Sequence, residues 1–295
     1  MSKTNLGIVI VCVGLVAAQA ASSPAQDPAQ NNEKFAKLSE QFIHETLAQS
    51  PSNASQAGYH HYLDPKTGKD IALDSLLDDV SPAGLAAQRS LYAQWRERFH
   101  TDTPVASLGP EDAADWHLID DQIALNLLEL DQIQNYRHNP TVYVELLGSA
   151  LFQPLTDDYA SEEVRLRDVL SRTARVPRFL KQAQSELTDA DPIFIKVAIE
   201  ENEGNVDLIQ NTIASAVAKN PALKSRFDKI APPAIAALKD FSQWLKSDLS
   251  KRKTNRNWRL GKEFYDQKFG LVMETDITPR ATPRQRRIRI PQNPG

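Results

Sequence analysis

The chain has 295 residues, a formal net charge of −4 and one cysteine. A single cysteine excludes an intramolecular disulfide, and this length is sufficient to bury a core without one. Removing Lys3 and the five arginines after Pro279 from the charge balance leaves −10 for residues 21–279. This acidic body argues against a nucleic-acid-binding protein, because such proteins present a basic face to the phosphates.

Residues 1–20 have the layout of a secretory signal peptide. Lys3 precedes an apolar run, and Ala18-Gln19-Ala20 supplies the small-x-small pattern of a signal-peptidase site. The run is shorter than the ~20 apolar residues that a membrane span needs. We therefore predict cleavage before Ala21, export to the periplasm or the medium, and no membrane attachment of the mature chain.

Cys12 raises the alternative of a lipid anchor. It lies in the middle of the apolar run and follows the bulky Val11, where a lipidation site would require a small residue. The sequence therefore favours a cleaved signal peptide over a lipidated one.

Beyond the signal, the sequence predicts helices. Residues 21–32 are rich in Ser, Pro, Gln and Asn, which is typical of a flexible leader. From Glu33 apolar residues recur at helical steps until Ser50-Pro51, and residues 51–79 are the most irregular part. No stretch alternates like a β-strand. Caps or prolines mark further helix starts: Ser81-Pro82, Pro110, Ser161, Pro177, Pro192 and Pro232-Pro233.

Helical spacing also predicts which apolar residues are buried. They are Phe35, Leu38, Phe42, Ile43 and Leu47; Leu85, Leu91, Trp95 and Phe99; Trp116, Ile119, Ile123, Leu127 and Leu130; Val164, Val169, Leu170 and Val176; Phe179, Leu180, Ala183 and Leu187; Phe194, Val197, Ile209, Ile213 and Val217; Ile235, Leu238, Phe241, Leu245 and Leu249. Together these patterns predict an all-α fold over residues 33–279, a multi-helix array of about eight to ten helices.

The character of the sequence changes after Pro279. Thr278-Pro279 is typical of a helix start, with Thr as the N-cap and Pro at the first helical position. Acidic residues would suit the first turn, because a helix N-terminus carries partial positive charge, yet Arg280 follows. Residues 280–295 contain five Arg, three Pro and no acidic residue. We predict a disordered, non-native basic tail, as expected after a truncation or a shift of reading frame.

Two histidine-containing clusters are candidates for metal or substrate binding. His44-Glu45 resembles half of the zinc motif His-Glu-x-x-His, but Ala48 occupies the position of the second ligand. His60 and His61 lie in an irregular stretch, where a loop could bring both to one metal or substrate. Their polar neighbours are Tyr59, Tyr62 and Asp64. The alternative is that this second cluster caps neighbouring helix ends.

Two acidic clusters are candidates for acid–base chemistry. Glu200, Glu201, Glu203 and Asp207 surround Gly204, and we favour a solvated helix face for them. A glycine in mid-helix indicates a close packing contact or a break. The second cluster is interpreted as the wet side of the helix that contains Trp116. Its members are Asp112, Asp115, Asp120, Asp121 and His117. No residue of the chain is assigned a catalytic, cofactor-binding or metal-binding role.

Five landmarks occur in the order found in a known family. They are Pro51, Ala54, Ser55, Gly58 and His60; Ser81-Pro82; Asn139, Pro140 and Tyr143; Arg175 to Leu180; and Gly261 to Tyr265. From about Phe35 to Pro279 the chain resembles the bacterial domain of unknown function 885, DUF885. This family comprises secreted or lipid-anchored helical proteins similar to zinc metallopeptidases of the gluzincin type.

The resemblance implies a larger protein than this chain. Members of the family are about twice as long, and their zinc motif lies in the C-terminal half, which has no counterpart here. The resemblance thus implies an incomplete half of a helical metallopeptidase-like fold, with one wall of a peptide cleft. Zinc and a peptide substrate are implied for full-length members, and no cofactor for this chain. Whether this chain is an enzyme stays open; the alternative is a periplasmic helical module that binds a ligand or protein without chemistry.

Overall fold

The computed structural model describes residues 28–274, and helices dominate this range. The helices are α1 (Pro28–Gln49), α2 (Pro51–Gln56), α3 (Pro82–Asp102), α4 (Pro110–Leu128), α5 (Asn135–His138), α6 (Thr141–Thr156), α7 (Glu162–Thr173), α8 (Val176–Glu186), α9 (Pro192–Asp207), α10 (Ala214–Val217), α11 (Pro221–Ser247) and α12 (Lys262–Met273). Short 3-10 turns lie at Leu73–Ser75, Val105–Ser107 and Leu249–Lys251, and π-helical segments at Glu129–Ile133 and Leu208–Ile213. The predicted all-α class is confirmed.

The number of helices also agrees with the prediction. The segment Leu208–Ile213 joins α9 to α10 without a break, because the residues at both junctions keep helical backbone angles. Counting these three as one helix, and leaving aside the four-residue α5, residues 28–274 contain ten helices. Because α1 begins at Pro28, it includes the last part of the stretch predicted as a leader. The predicted signal peptide, the Thr278-Pro279 helix start and the basic tail lie outside the described residues.

A small hairpin corrects the prediction that the chain contains no strand. Strands β1 (His61–Leu63) and β2 (Asp70–Ala72) pair antiparallel. Between them Asp64 accepts hydrogen bonds from the backbone of Lys66 at 2.8 Å and the hydroxyl of Thr67 at 2.7 Å. Gly68 has a φ of +67°, which favours glycine. Strands of three residues are too short for apolar alternation to reveal them, whereas the turn residues are visible in the sequence.

Most predicted helix starts are found where caps or prolines indicated them. The Ser81 hydroxyl accepts a hydrogen bond from the backbone of Gly84 at 3.2 Å, which satisfies one of the free N–H groups of α3. Pro177 lies in the first turn of α8, and Pro192 opens α9 behind the N-cap Asp191. Proline suits these positions because the first turn has no intrahelical partner for its missing N–H group.

Pro232-Pro233 do not begin a helix, so that prediction was wrong. Both lie inside α11, which begins at Pro221, where Asn220 caps it by accepting from the backbone of Ala222 and Leu223 at 3.1 and 3.2 Å. An interior proline costs helix hydrogen bonds. The buried stripe of α11 nevertheless continues on both sides of the pair, so burial offsets this cost. Its members are Leu223, Ala231, Ala234, Leu238, Phe241 and Leu245.

Two hydrophobic clusters hold the helices together. In the first, α1, α3 and α4 pack around Phe42, Trp95 and Phe99, whose rings meet edge-on or tilted at 5.7–5.8 Å between centroids. The second is larger and is built mainly from α6 to α11. Most predicted core residues lie in these clusters. The exceptions include Ile43 and Val164, which are 48% and 40% exposed because they lie at the margins of their helical stripes.

Substitution by alanine is expected to have opposite effects on stability at Gly204 of α9 and at Gly148 of α6. A Cβ at Gly204 would meet nothing within 4 Å, so the expected packing contact or break at this glycine is wrong. A Cβ at Gly148 would lie 2.8 Å from Oδ1 of Asn205, whose amide donates to the carbonyl of Val144 at 3.0 Å. We expect Gly204→Ala to raise the free energy of unfolding by about 0.5–1 kcal/mol, through the lower backbone entropy of the unfolded chain.

The matched control is Gly148→Ala, which should lower the free energy of unfolding by about 1–3 kcal/mol because the buried Asn205 must move. Urea unfolding of both variants and the wild type measures the two changes. A loss of stability in Gly204→Ala would contradict the open environment of this position.

Candidate functional site

A fully buried arginine lies at the junction of α2, α6, α7 and the Leu73–Ser75 turn. Arg172 of α7 has no exposed surface. Its guanidinium donates to the carbonyls of Ala150 at 2.7 Å and Leu76 at 2.9 Å, and more weakly to that of Pro51 at 3.4 Å. A further bond of 2.5 Å goes to the hydroxyl of Ser55. These bonds satisfy backbone acceptors that would otherwise be buried without a donor.

The network continues from Arg172 towards a histidine at the surface. The Ser55 hydroxyl donates to the carboxylate of Asp74 at 2.6 Å, and Nδ1 of His60 lies 2.9 Å from the same carboxylate. The His60 ring stacks on Tyr159 with 4.5 Å between centroids, and the Tyr159 hydroxyl donates to Asp168 at 3.0 Å. We call the set Ser55, His60, Asp74, Tyr159, Asp168 and Arg172 the His60 cluster.

Burial shapes the electrostatics of the His60 cluster. It raises the pKa of the Asp168 carboxyl and of the Tyr159 hydroxyl above their ordinary values. Burial also lowers the pKa of Arg172, an effect that the carboxylate of Asp74 opposes. The Arg172 charge is therefore held among carbonyl dipoles and close to an anion, the two conditions under which a buried cation is tolerated.

Within the His60 cluster, the second ring nitrogen of His60 is the atom that is available for binding or proton transfer. The Asp74 carboxylate orients the ring through Nδ1, so Nε2 is the atom that could bind a ligand or exchange a proton. The side chain of His60 is 25% exposed, whereas that of Asp74 is 5% exposed. This is a carboxylate–histidine pair in which the imidazole is partly exposed and the carboxylate is buried and linked through Ser55 to Arg172.

The other members of the predicted His60-His61 set are dispersed. His61 points to the exposed face of the hairpin, where its Nδ1 lies 3.1 Å from the carboxylate of Asp70. Tyr59 stacks on His44 with 4.7 Å between ring centroids, and Asp64 is occupied by its own turn. His60 precedes β1 and His61 begins it; their rings have separate partners, Asp74 and Asp70, and do not converge on one ion or ligand.

The structure gives the His44-Glu45 pair a packing role. Glu45 accepts a hydrogen bond from the indole of Trp95 at 2.9 Å, which joins α1 to α3. In residues 28–274 no group of three or more His, Cys, Asp or Glu side chains is arranged to hold a metal ion.

The two predicted acidic clusters differ in their surroundings: the carboxylates of α9 are exposed, whereas one carboxylate of α4 joins two helices. Glu200, Glu203 and Asp207 are exposed along α9, as the solvated-face interpretation predicts. Asp120 departs from the predicted wet side, because its carboxylate accepts from Arg96 and from His100, both at 2.9 Å, and these bonds join α4 to α3. Although burial acts to raise it, the pKa of Asp120 is lowered by these two partners.

A second polar site is a cleft of about 410 Å³ between α5, the start of α9 and the segment before α12. We call it the Trp258 cleft. The residues that line it are Ile133, Asn135, His138, Asn139, Asp191, Phe194, Asn255, Arg256, Asn257, Trp258, Arg259, Leu260 and Lys268. Its volume falls in the range of small-ligand sites.

Two aspartates hold the walls of the Trp258 cleft in place. Asp191 accepts from the backbone of Ile193 at 2.9 Å and of Trp258 at 3.1 Å, so the N-cap of α9 also positions the segment before α12. Asp189 lies 3.2 Å from Nδ1 of His138 and accepts from the hydroxyl of Thr254 at 2.5 Å. The cleft is therefore shaped by bonds within the chain before any ligand arrives.

Sequence reasoning found His60 but missed its partners. Tyr159, Asp168 and Arg172 lie within or just before α7, far from Asp74 and His60 in the chain, and the packing of α7 on α2 and the 73–75 turn brings the two groups together. One signal was present for Arg172. It lies three residues after Val169 and four before Val176, so a charged residue interrupts an otherwise apolar stripe. A buried charge at such a position requires polar partners.

Comparison with known proteins supports the landmarks found in the sequence. A family model described as "Bacterial protein of unknown function (DUF885)" matches residues 51–284, which is most of the chain. The chain belongs to the DUF885 family. The matched range contains the His60 cluster and the Trp258 cleft, so both sites are part of the DUF885 domain and not of an appended segment.

A solved structure provides a fold relative for this DUF885 chain. It is described as a "putative lipoprotein of unknown function" from Shewanella oneidensis and superposes with a TM-score of 0.72 at 22% identity. The match covers 83% of this chain and 43% of that chain, so the DUF885 chain spans less than half the length of the relative. At this identity the likeness shows the fold alone. No curated protein matches the chain.

The Arg172 network predicts a large and specific loss of stability on conservative substitution. Lysine keeps the charge but cannot reach four acceptors with one ammonium group. We expect Arg172→Lys to lower the free energy of unfolding by about 2–4 kcal/mol, because buried acceptors lose their donors. The control is Arg167→Lys on the same helix, an exposed partner of Glu163, with an expected change below about 0.5 kcal/mol. Equal effects in urea unfolding would contradict the network.

The His138–Asp189 pair predicts a pH dependence of stability. Burial lowers the pKa of His138 below 6.5; Asp189 opposes this effect and the charge of Arg256 adds to it. The unfolded chain therefore takes up this proton more readily than the folded chain. The contribution to stability is complete above about pH 6.5 and is lost as the pH falls towards the folded pKa.

The measurement is thermal unfolding of wild type and His138→Asn at about pH 7.5 and 5.5. The wild type should lose more stability between these values than the variant, which keeps an amide donor for Asp189 but has no titrating ring. Identical losses would show that His138 takes up its proton equally in the folded and unfolded chain.

Proposed function

We propose that this chain is the amino-terminal half of a larger, exported DUF885 protein of the zinc-metallopeptidase type, and that it does not hydrolyse peptides by itself. The observation that carries the proposal is the one-sided match to the Shewanella oneidensis protein, in which 83% of this chain corresponds to 43% of the other. On this proposal the missing portion would supply the chemistry, and this chain would supply one wall of the substrate cleft.

The last described helix supports the proposal. No residue of α12 is buried, and Tyr265, Val272 and Met273 are 51%, 52% and 58% exposed. Exposed apolar side chains concentrated on one helix are typical of a surface that further protein covers. The face is adjacent to the Trp258 cleft, which α12 lines through Lys268.

The described residues do not fit a zinc ion. A catalytic zinc site needs three protein ligands from His, Cys, Asp or Glu, and no such group exists within residues 28–274. His60 is held by one carboxylate and stacked on Tyr159, an arrangement that orients one imidazole and gathers no further ligand. A zinc site in the full-length protein would therefore need ligands from outside residues 28–274.

One observation supports export. The relative from Shewanella oneidensis is described as a putative lipoprotein, and lipoproteins are exported before they are anchored. This description is compatible with the signal peptide and the cleavage before Ala21 that the sequence predicts. No helix in residues 28–274 is long and apolar enough to cross a membrane.

Peptide hydrolysis by the purified chain tests the proposal. We expect no hydrolysis of a mixed peptide library, with or without added zinc. Hydrolysis that a chelator abolishes and zinc restores would overturn the proposal. A mock purification from the same host without this chain serves as the control for contaminating peptidases, because activity found there cannot come from the chain.

A second function is favoured by the Trp258 cleft. A preformed polar cleft of about 410 Å³ is compatible with a helical module that binds a small ligand without chemistry. Saturable ligand binding together with cooperative unfolding of the isolated chain would favour this second function. Non-cooperative unfolding would favour an incomplete half of a larger fold.

A further inference from the structure

The free donors of the Trp258 cleft indicate what it binds. Of its basic side chains, Lys268 is paired with Glu129 at 2.5 Å, and Nδ1 of His138 lies 3.2 Å from Asp189. The carboxylate of Asp191 is occupied by two backbone N–H groups. Two guanidinium groups are left, those of Arg256 and Arg259.

Neither guanidinium has a carboxylate partner within residues 28–274. Arg256 contributes only its backbone N–H, to the hydroxyl of Thr254 at 3.0 Å. Arg259 lies over the ring of Trp258 at 4.0 Å from the centroid, a contact that leaves the edge of its guanidinium free to donate. The guanidinium donors of these two residues are therefore available to an anionic ligand in the cleft.

The remaining walls are apolar or neutral. Trp258 is 44% exposed, although an indole of this size is usually covered, and Phe194 and Leu260 line the cleft beside it. The amide of Asn255 adds a donor and an acceptor. The cleft thus combines charged donors with an aromatic surface over a volume that admits a small molecule or a chain end, and not a nucleic-acid strand.

We propose that the Trp258 cleft binds an organic carboxylate with an attached apolar group, such as the free carboxyl end of a peptide. Arg256 and Arg259 bind the carboxylate, and the apolar group lies against Trp258 and Phe194. Guanidinium suits this role because its planar donors match a carboxylate and its weak hydration lowers the cost of pairing. This assignment holds for either function proposed above, because it depends only on residues of this chain.

The test uses N-acetylphenylalanine and its amide, N-acetylphenylalaninamide, as probes of the full purified chain. Binding is followed by the indole N–H signal of Trp258 in ¹⁵N-labelled protein, which contains four tryptophans. The Trp258→Phe variant assigns that signal by its disappearance. We expect a saturable shift with the carboxylate probe and a response at least about ten-fold weaker with the amide, because a hydrogen bond to a charged group is lost.

Variants distinguish the cleft from general surface charge. Arg256→Gln and Arg259→Gln should each weaken binding of the carboxylate probe at least about ten-fold. The matched control is Arg98→Gln, since Arg98 lies over Trp95 at 4.0 Å, like Arg259 over Trp258, but outside the cleft. Arg256 and Arg259 are exposed, so their variants should unfold at the wild-type temperature; Arg98 is half-buried, so thermal unfolding of Arg98→Gln is measured to show that this control is folded.

Three results would overturn the assignment. The amide could bind as tightly as the carboxylate, the control Arg98→Gln could weaken binding as much as the cleft variants, or sulfate at equal concentration could displace the probe. The last result would indicate a site for small inorganic anions. None of these readouts involves hydrolysis, so failure here is distinct from failure of the peptidase proposal.

Discussion

The fold depends on the burial of one cation. Arg172 lies where α7 meets α2, α6 and the 73–75 turn, and its donors bind carbonyls from three separate parts of the chain. Burying a guanidinium is unfavourable unless its donors find acceptors. Arg172 can therefore be buried only when the segments that carry these carbonyls lie next to one another. The apolar clusters stabilise the helices, whereas this polar junction specifies how the amino-terminal helices approach the larger bundle.

The same network reaches the surface through His60. Ser55 accepts from Arg172 and donates to Asp74, and Asp74 in turn holds one nitrogen of the imidazole. The buried network thus orients a side chain that is itself 25% exposed. Structural and functional uses of such a histidine are compatible, because orientation by a buried carboxylate is what a ligand-binding or proton-transferring imidazole requires. The landmark residues Ser55 and His60 belong to this one physical unit.

The Trp258 cleft lies next to the exposed apolar side chains of α12. Asp189 and Asp191 accept the hydrogen bonds that hold the cleft walls, whereas the guanidinium groups of Arg256 and Arg259 have no carboxylate partner within residues 28–274. Next to them, α12 exposes Tyr265, Val272 and Met273. Free guanidinium donors beside exposed apolar side chains suit a ligand or a further protein portion that is both acidic and partly apolar. The protein belongs to DUF885, and this edge is where its function is best sought.

The sequence by itself determined the helical class, most helix starts and most of the core, because helical periodicity and capping depend on neighbouring residues. It also singled out His60 as a candidate and carried the landmarks of the family. Only the tertiary structure decided that His60 pairs with Asp74 and not with His61, that Asp120 joins two helices, and that Arg256 and Arg259 share a cleft. The tertiary structure also decided that Pro232-Pro233 lie inside α11, because apolar burial along this helix outweighs the hydrogen bonds that the prolines cost. These outcomes depend on contacts between distant segments, and no local pattern encodes which distant groups will satisfy a buried charge.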